Sequence, residues 1–115
     1  MIRKIISALL LAAVFSGCYY DKEELLYPSE KACDPTISFT VEIMPIIQTR
    51  CAIVACHDAG SGNIGGPFTN YTQIKNKAIN IKSQVLSGAM PQGSSLSAAQ
   101  IQAISCWVSN GALNN

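Results

Sequence analysis

Hydrophobic side chains near the carboxyl end of the chain recur at helical spacing and predict one clear helix. The apolar stripe consists of Ile101, Ile104, Trp107 and Val108. Ser97 stands just before this stripe and Gln100 follows three positions later, which is the spacing of a capping box. We therefore predict a helix over 97–110 that ends at Gly111, a residue type common at helix C-termini.

A shorter helical segment is predicted earlier in the chain. Residues 41–50 contain Pro45, and proline fits a helix only in its first turn, so the regular part should begin near this residue. Residues 59–67 hold four glycines and a proline and predict a loop.

A third apolar pattern, with spacings of three and four, predicts an amphipathic helix over 70–86 with a break near residue 79. Its members are Tyr71, Ile74, Ala78, Ile81 and Val85. Gly88 ends the pattern. Because no alternation of period two appears, we expect an all-α fold with short helices and long loops.

The first residues differ from the rest and resemble an export signal. Arg3 and Lys4 precede an apolar stretch over 5–15, which is too short for a stable membrane-spanning helix and suits a signal peptide over 1–17. No later stretch approaches the roughly 20 apolar residues that a spanning helix needs.

The end of this segment resembles the lipobox of bacterial lipoproteins. The small residues Ser16 and Gly17 precede Cys18, whereas Phe15 replaces the usual leucine. The resemblance implies cleavage before Cys18, its acylation, and an anchor in the bacterial outer membrane or cell envelope, on the periplasmic or the surface side. The alternative is an ordinary secretory signal with Cys18 as a structural cysteine. Both readings place the protein in an oxidising compartment.

Residues 18–36 predict an acidic tether that leads to a domain over 37–115. The tether holds five acidic and two basic residues, two prolines and no regular apolar pattern. Without residues 1–17 the chain has six basic and seven acidic residues, so electrostatics gives no reason to expect nucleic-acid binding. A domain of this size has a marginal core and is expected to need a staple or a cofactor.

Two thiols and the single histidine lie together at Cys51, Cys56 and His57. Three chemistries can use them. The first is a Cys51–Cys56 disulfide. The second is zinc, which would need a further ligand such as Cys33 or Cys106 and competes poorly with thiol oxidation outside the cytoplasm. The third is covalent haem, in which two thiols bind the vinyl groups and the adjacent histidine ligates iron.

Met90 is the second candidate ligand. It precedes Pro91 in a glycine-containing loop, and a residue before proline is held extended, so Met90 should not continue the preceding helix. Its thioether is a soft donor suited to an axial position of haem iron. The alternative is that Met90 fills a gap in the core.

The order of these features resembles a class I c-type cytochrome domain, in particular the planctomycete-type cytochrome c-like domains. Those domains read as a helix with Pro-Ile-Leu, then Cys…Cys-His, a glycine loop, Met-Pro, and a closing helix with Trp-(Ile/Val)-x-x-Gly-Ala. The matching segments are Pro45-Ile46-Ile47, Cys51…Cys56-His57, Met90-Pro91 and Trp107-Val108-Ser109-Asn110-Gly111-Ala112. The chain departs from the family in its variant C-x4-C-H haem motif, whose two extra residues would bulge outward.

The resemblance implies three to four short helices wrapped around one covalently attached haem c. Cys51 and Cys56 would form the thioethers, and His57 and Met90 would be the axial ligands of the iron. The implied function is that of a membrane-anchored monohaem one-electron carrier outside the cytoplasm, with redox proteins of unknown identity as partners and no enzymatic activity.

Cys33 and Cys106 would have no role in the lipid anchor or in haem attachment. In an oxidising compartment they are candidates for a disulfide between the tether and the last helix. If no haem binds, the alternative function is a cofactor-free, disulfide-stapled lipoprotein with a structural or interaction role. The cations of the domain are candidates to pair with haem propionates. They are Arg50, Lys75, Lys77 and Lys82.

Overall fold

The computed structural model describes residues 33–115 as helices joined by loops, without strands. The all-α class predicted from the sequence is confirmed for this part of the chain. The signal peptide over 1–17, the acylation of Cys18 and most of the tether over 18–36 lie outside the described residues. In the described part, no helix has the length and apolar character needed to cross a membrane.

A π-helical turn over Phe39–Ile43 leads directly into the first of four α-helices in this part of the chain. The helices are α1 (Met44–Arg50), α2 (Tyr71–Asn76), α3 (Ala78–Leu86) and α4 (Ala98–Ser109). Pro45 lies in the first turn of α1, as predicted. The predicted break in the apolar pattern over 70–86 falls at Lys77, two positions before residue 79, and α2 and α3 bury the same apolar stripe on either side of it.

The predicted capping box of α4 is confirmed. The Ser97 hydroxyl accepts a hydrogen bond from the Gln100 amide, and the Gln100 side chain accepts one from the Ser97 amide. Gly111, just after the helix, has a φ of +93°, a left-handed conformation that glycine adopts without a steric penalty.

The core forms where α4 packs against the π-helical turn. The Trp107 ring is 1% exposed, and its centroid lies 5.5 Å from that of Phe39. Phe39 in turn meets Tyr71 edge to face at 5.0 Å. The largest fully buried aliphatic side chains are Ile43, Ile47, Ile74 and Ile104. The first and last helical segments are thus held together by aromatic contacts.

Two further links join the ends of this domain. Cys33 and Cys106 form a disulfide with Cα atoms 5.0 Å apart, as the cysteine count suggested. Asn115 accepts hydrogen bonds from the amides of Phe39 and Thr40, both at 2.9 Å. The segment before α1 is therefore fixed to residues near the carboxyl end.

Candidate functional site

The four residues predicted to form the site line one cleft. Cys51, Cys56, His57 and Met90 all contribute to its wall, and its volume is about 530 Å³. This volume falls within the range of roughly 300–1,000 Å³ typical of cofactor and ligand sites. The cleft lies between the end of α1 with its following loop, the glycine-rich loop, α3, and the loop after α3.

The loop between the two cysteines accommodates its unusual length by turning outward. Cys51 caps α1, and its carbonyl accepts a hydrogen bond of 3.0 Å from the His57 amide. Between the two cysteines, Ile53 is 45% and Val54 85% exposed. The extra residues therefore project into solvent, while both thiols remain at the cleft.

Both cleft cysteines are free thiols, so the disulfide considered for Cys51 and Cys56 is not formed. Burial raises the pKa of the Cys51 thiol to about 11, against a smaller lowering by the neighbouring Arg50 charge. Cys51 is thus a neutral thiol at neutral pH. A raised pKa favours the protonated folded state, and this contribution to stability disappears as the pH rises through about 11.

The histidine is held in one orientation by a hydrogen bond and a stacking contact. His57 Nδ1 lies 2.8 Å from the Gly66 carbonyl oxygen, which can only accept, so Nδ1 carries the proton and the Nε2 lone pair is available. The imidazole stacks on Phe68, with ring centroids 4.2 Å apart. An Nδ1–H bonded to a backbone carbonyl is typical of histidines that ligate a metal through Nε2.

Gly65 packs directly against the edge of this imidazole. A Cβ atom at position 65 would lie 2.6 Å from His57 Cε1, closer than carbon atoms approach without a shift. Gly62, in the same loop, faces open space. Glycine at position 65 therefore leaves the room that the His57 ring occupies.

Gly65→Ala is expected to lower the free energy of unfolding by about 1–3 kcal/mol, because the new methyl group must displace the His57 ring or the loop. Gly62→Ala is the matched control and should change stability by less than about 1 kcal/mol in either direction. Urea denaturation of both variants measures the difference. Equal stabilities would show that the contact at Gly65 does not constrain the imidazole.

Met90 reaches the cleft from the loop after α3. Its amide donates to the Gln84 carbonyl at 3.2 Å, which ties this loop to α3. The side chain is half-buried and does not belong to the hydrophobic core cluster, whereas Met44 packs against that cluster. The core-filling alternative for Met90 therefore has no support in the described residues.

Two of the four cations considered for haem propionates line the cleft, namely Arg50 and Lys77. The other two are bound elsewhere: Lys75 Nζ donates to the Ala112 carbonyl, and Lys82 Nζ donates to the Ser109 hydroxyl, at 2.9 and 2.8 Å. Among the described residues that line the cleft, none is acidic. The wall therefore presents positive charge without a neutralising carboxylate.

In residues 33–115, no three His, Cys, Asp or Glu side chains converge as a group that could hold a bare metal ion. Zinc, which takes four protein ligands in structural sites, has no such set here. Haem iron differs because the macrocycle itself supplies four nitrogen ligands, and the protein need only supply the axial pair.

Comparison of the chain with protein-family models, with curated proteins and with solved structures found no match in any of the three. The site therefore has to be interpreted from its own residues. Sequence reasoning missed Gly65 and Phe68, since the glycine-rich segment predicted a loop but not which of its residues would face His57.

Proposed function

We propose that the chain is a membrane-anchored monohaem c-type cytochrome that carries single electrons outside the cytoplasm. The observation that supports this most directly is the presence of Cys51, Cys56, His57 and Met90 on the wall of one cleft. These residues are separated by up to 39 positions in the sequence. Two thiols, an imidazole and a thioether are the set of groups that covalent haem attachment and axial ligation require.

Several observations fit haem in this cleft. The free Cys51 and Cys56 thiols are available for two thioether bonds, each formed by adding S–H across a vinyl double bond. The Nδ1–H bond of His57 leaves Nε2 as the free donor atom. The buried Arg50 Nε has no hydrogen-bond partner in the described structure, which suits an anionic group of the ligand.

Haem supplies a one-electron Fe(II)/Fe(III) couple when it is bound. The protein residues hold and shield it. His57 and Met90 would both ligate the iron, so that no ligand position is left for a substrate, which accords with electron transfer rather than catalysis. Phe68, Ile81 and Val85 contribute apolar side chains to the cleft wall, and these would limit the access of water to the bound group. Electrons would pass from one redox partner protein to another through the exposed side of the cleft.

The location of the protein follows from its first residues. The signal over 1–17 and acylation of Cys18 would place it at the cell envelope, and the tether over 18–36 would hold the domain away from the lipid surface. The observed disulfide suits an oxidising compartment. The same disulfide also fits the second candidate, a cofactor-free stapled lipoprotein with an interaction role.

Covalent haem separates the two candidates. The full chain, expressed with a c-type maturation system, should show haem-stained protein on a denaturing gel, and Cys51→Ala/Cys56→Ala should lose that stain completely. The control Cys33→Ala/Cys106→Ala removes two cysteines outside the cleft and should keep it. A folded but colourless protein would overturn the cytochrome and favour the stapled lipoprotein, as would haem stain that survives in the Cys51→Ala/Cys56→Ala variant.

A further inference from the structure

Arg50 lines the cleft, and one buried donor atom of its guanidinium has no partner in the described structure. Its Nη2 donates to the Ser95 carbonyl oxygen at 2.5 Å, which fixes the side chain between the end of α1 and the segment before α4. Its Nε is buried and has no hydrogen-bond partner. Since buried donors of charged groups are rarely left unpaired, this atom indicates a site for an acceptor that comes from outside the chain.

The surrounding charge favours an anion. Lys77, at the junction of α2 and α3, also lines the cleft, and no Asp or Glu side chain is among the described lining residues. Asp58 directly follows His57 in sequence but does not contribute to the cleft wall. An anionic group in this cleft would therefore meet two cations and no like charge.

We propose that Arg50, assisted by Lys77, forms a carboxylate-binding site inside the cleft. A planar guanidinium presents its donors in a geometry that matches the two oxygens of a carboxylate. The ligand class is a mainly apolar molecule that bears carboxylates, because most of the wall surface is apolar although four side-chain amides also contribute to it. This inference rests on the proposed function, under which the carboxylate is a haem propionate.

Lys82 and a conservative replacement of Arg50 provide matched controls. Lys82 has the same charge as Lys77, but its Nζ donates to Ser109 on α4 and it does not line the cleft. Removal of its charge tests the effect of net charge alone. Replacement of Arg50 by lysine keeps the charge and removes the planar set of donors.

The test compares haemin with its dimethyl ester, in which both carboxylates are blocked. Both are titrated by absorbance into the full chain with Cys51→Ser/Cys56→Ser, so that binding is reversible. Haemin should bind about tenfold more tightly than the ester, since a charge-assisted hydrogen bond is worth about one decade in affinity. In this background Arg50→Gln should reduce the ratio to about twofold, Arg50→Lys should give an intermediate ratio, and Lys82→Gln should leave it unchanged.

The two failures have different signatures. In the first, haemin and the ester bind the Cys51→Ser/Cys56→Ser chain with equal affinity, and the ratio of the two affinities stays the same after Arg50→Gln. In that case the carboxylate site is refuted while the proposed function stands. If neither compound binds the Cys51→Ser/Cys56→Ser chain, the carboxylate site is refuted, whereas the proposed function is decided by the haem stain of the chain that keeps both cysteines. The ratio of two ligands for one variant is insensitive to a general loss of stability, so a merely structural role of Arg50 would not change it.

Discussion

Cys33→Ala/Cys106→Ala is expected to lower the free energy of unfolding by about 4 kcal/mol in the chain-entropy description of cross-links. The bridge spans 73 positions and therefore closes almost the whole described domain into one loop. When it is removed, the unfolded chain regains the conformations that the bridge excluded. For a domain of this size, such a loss is a large part of the total stability.

The measurement is urea denaturation without reductant, followed by the fluorescence of Trp107, the single tryptophan of the chain. Trp107 is buried next to Cys106 in α4, so its emission reports the packing of that helix. Cys33→Ala alone should give a similar loss, since either replacement opens the bridge. A loss below about 1 kcal/mol in both variants would show that the bridge does not constrain the unfolded chain as argued.

The helix boundaries that depend on neighbouring residues agree with the prediction from the sequence. Helix α4 begins one residue after Ser97, because its cap uses only side chains within four positions of one another. The π-helical turn was not predicted. Its amides at Phe39 and Thr40 bond to Asn115, and no local pattern reveals a partner so distant in sequence.

In the site, too, the features carried by residue type and spacing were predictable, and those that depend on contacts between distant residues were not. The residues with ligand chemistry, Cys51, Cys56, His57 and Met90, stand out by type and spacing, and the structure places all four at one cleft. The residues that orient them were not recognisable in advance. Gly65 and Phe68 matter through contacts with the His57 ring that form only after the loops are folded.

The outward turn of the loop between Cys51 and Cys56 was predictable in part from the sequence. Four residues between the thiols raised the question of whether both sulphurs could serve one ligand, and the expected answer was that the extra residues would bulge. The exposure of Ile53 and Val54 agrees with that expectation. Ala55 completes the turn with a φ of +67°, an uncommon conformation for a residue with a Cβ atom.

Met90→Ala is expected to have the largest effect on the redox properties of the haem-loaded protein. A neutral thioether is a soft ligand that stabilises Fe(II) relative to Fe(III), so its loss should lower the reduction potential by on the order of 100 mV or more. The weak absorption of the iron–thioether bond in the oxidised protein should vanish as well. Covalent haem should remain, because Cys51 and Cys56 are unchanged.

Met44→Ala is the control that separates ligation from packing. Met44 is partly buried against the hydrophobic core and does not line the cleft. Its truncation should therefore lower the free energy of unfolding by up to about 2 kcal/mol and leave the thioether absorption intact. Met90→Ala should show the reverse pattern, because Met90 lies outside that core cluster. An unchanged potential and an unchanged thioether band in Met90→Ala would mean that Met90 does not bind the iron. The second axial position would then be open to a substrate or small ligand, and the case for a pure electron carrier would lose its main support.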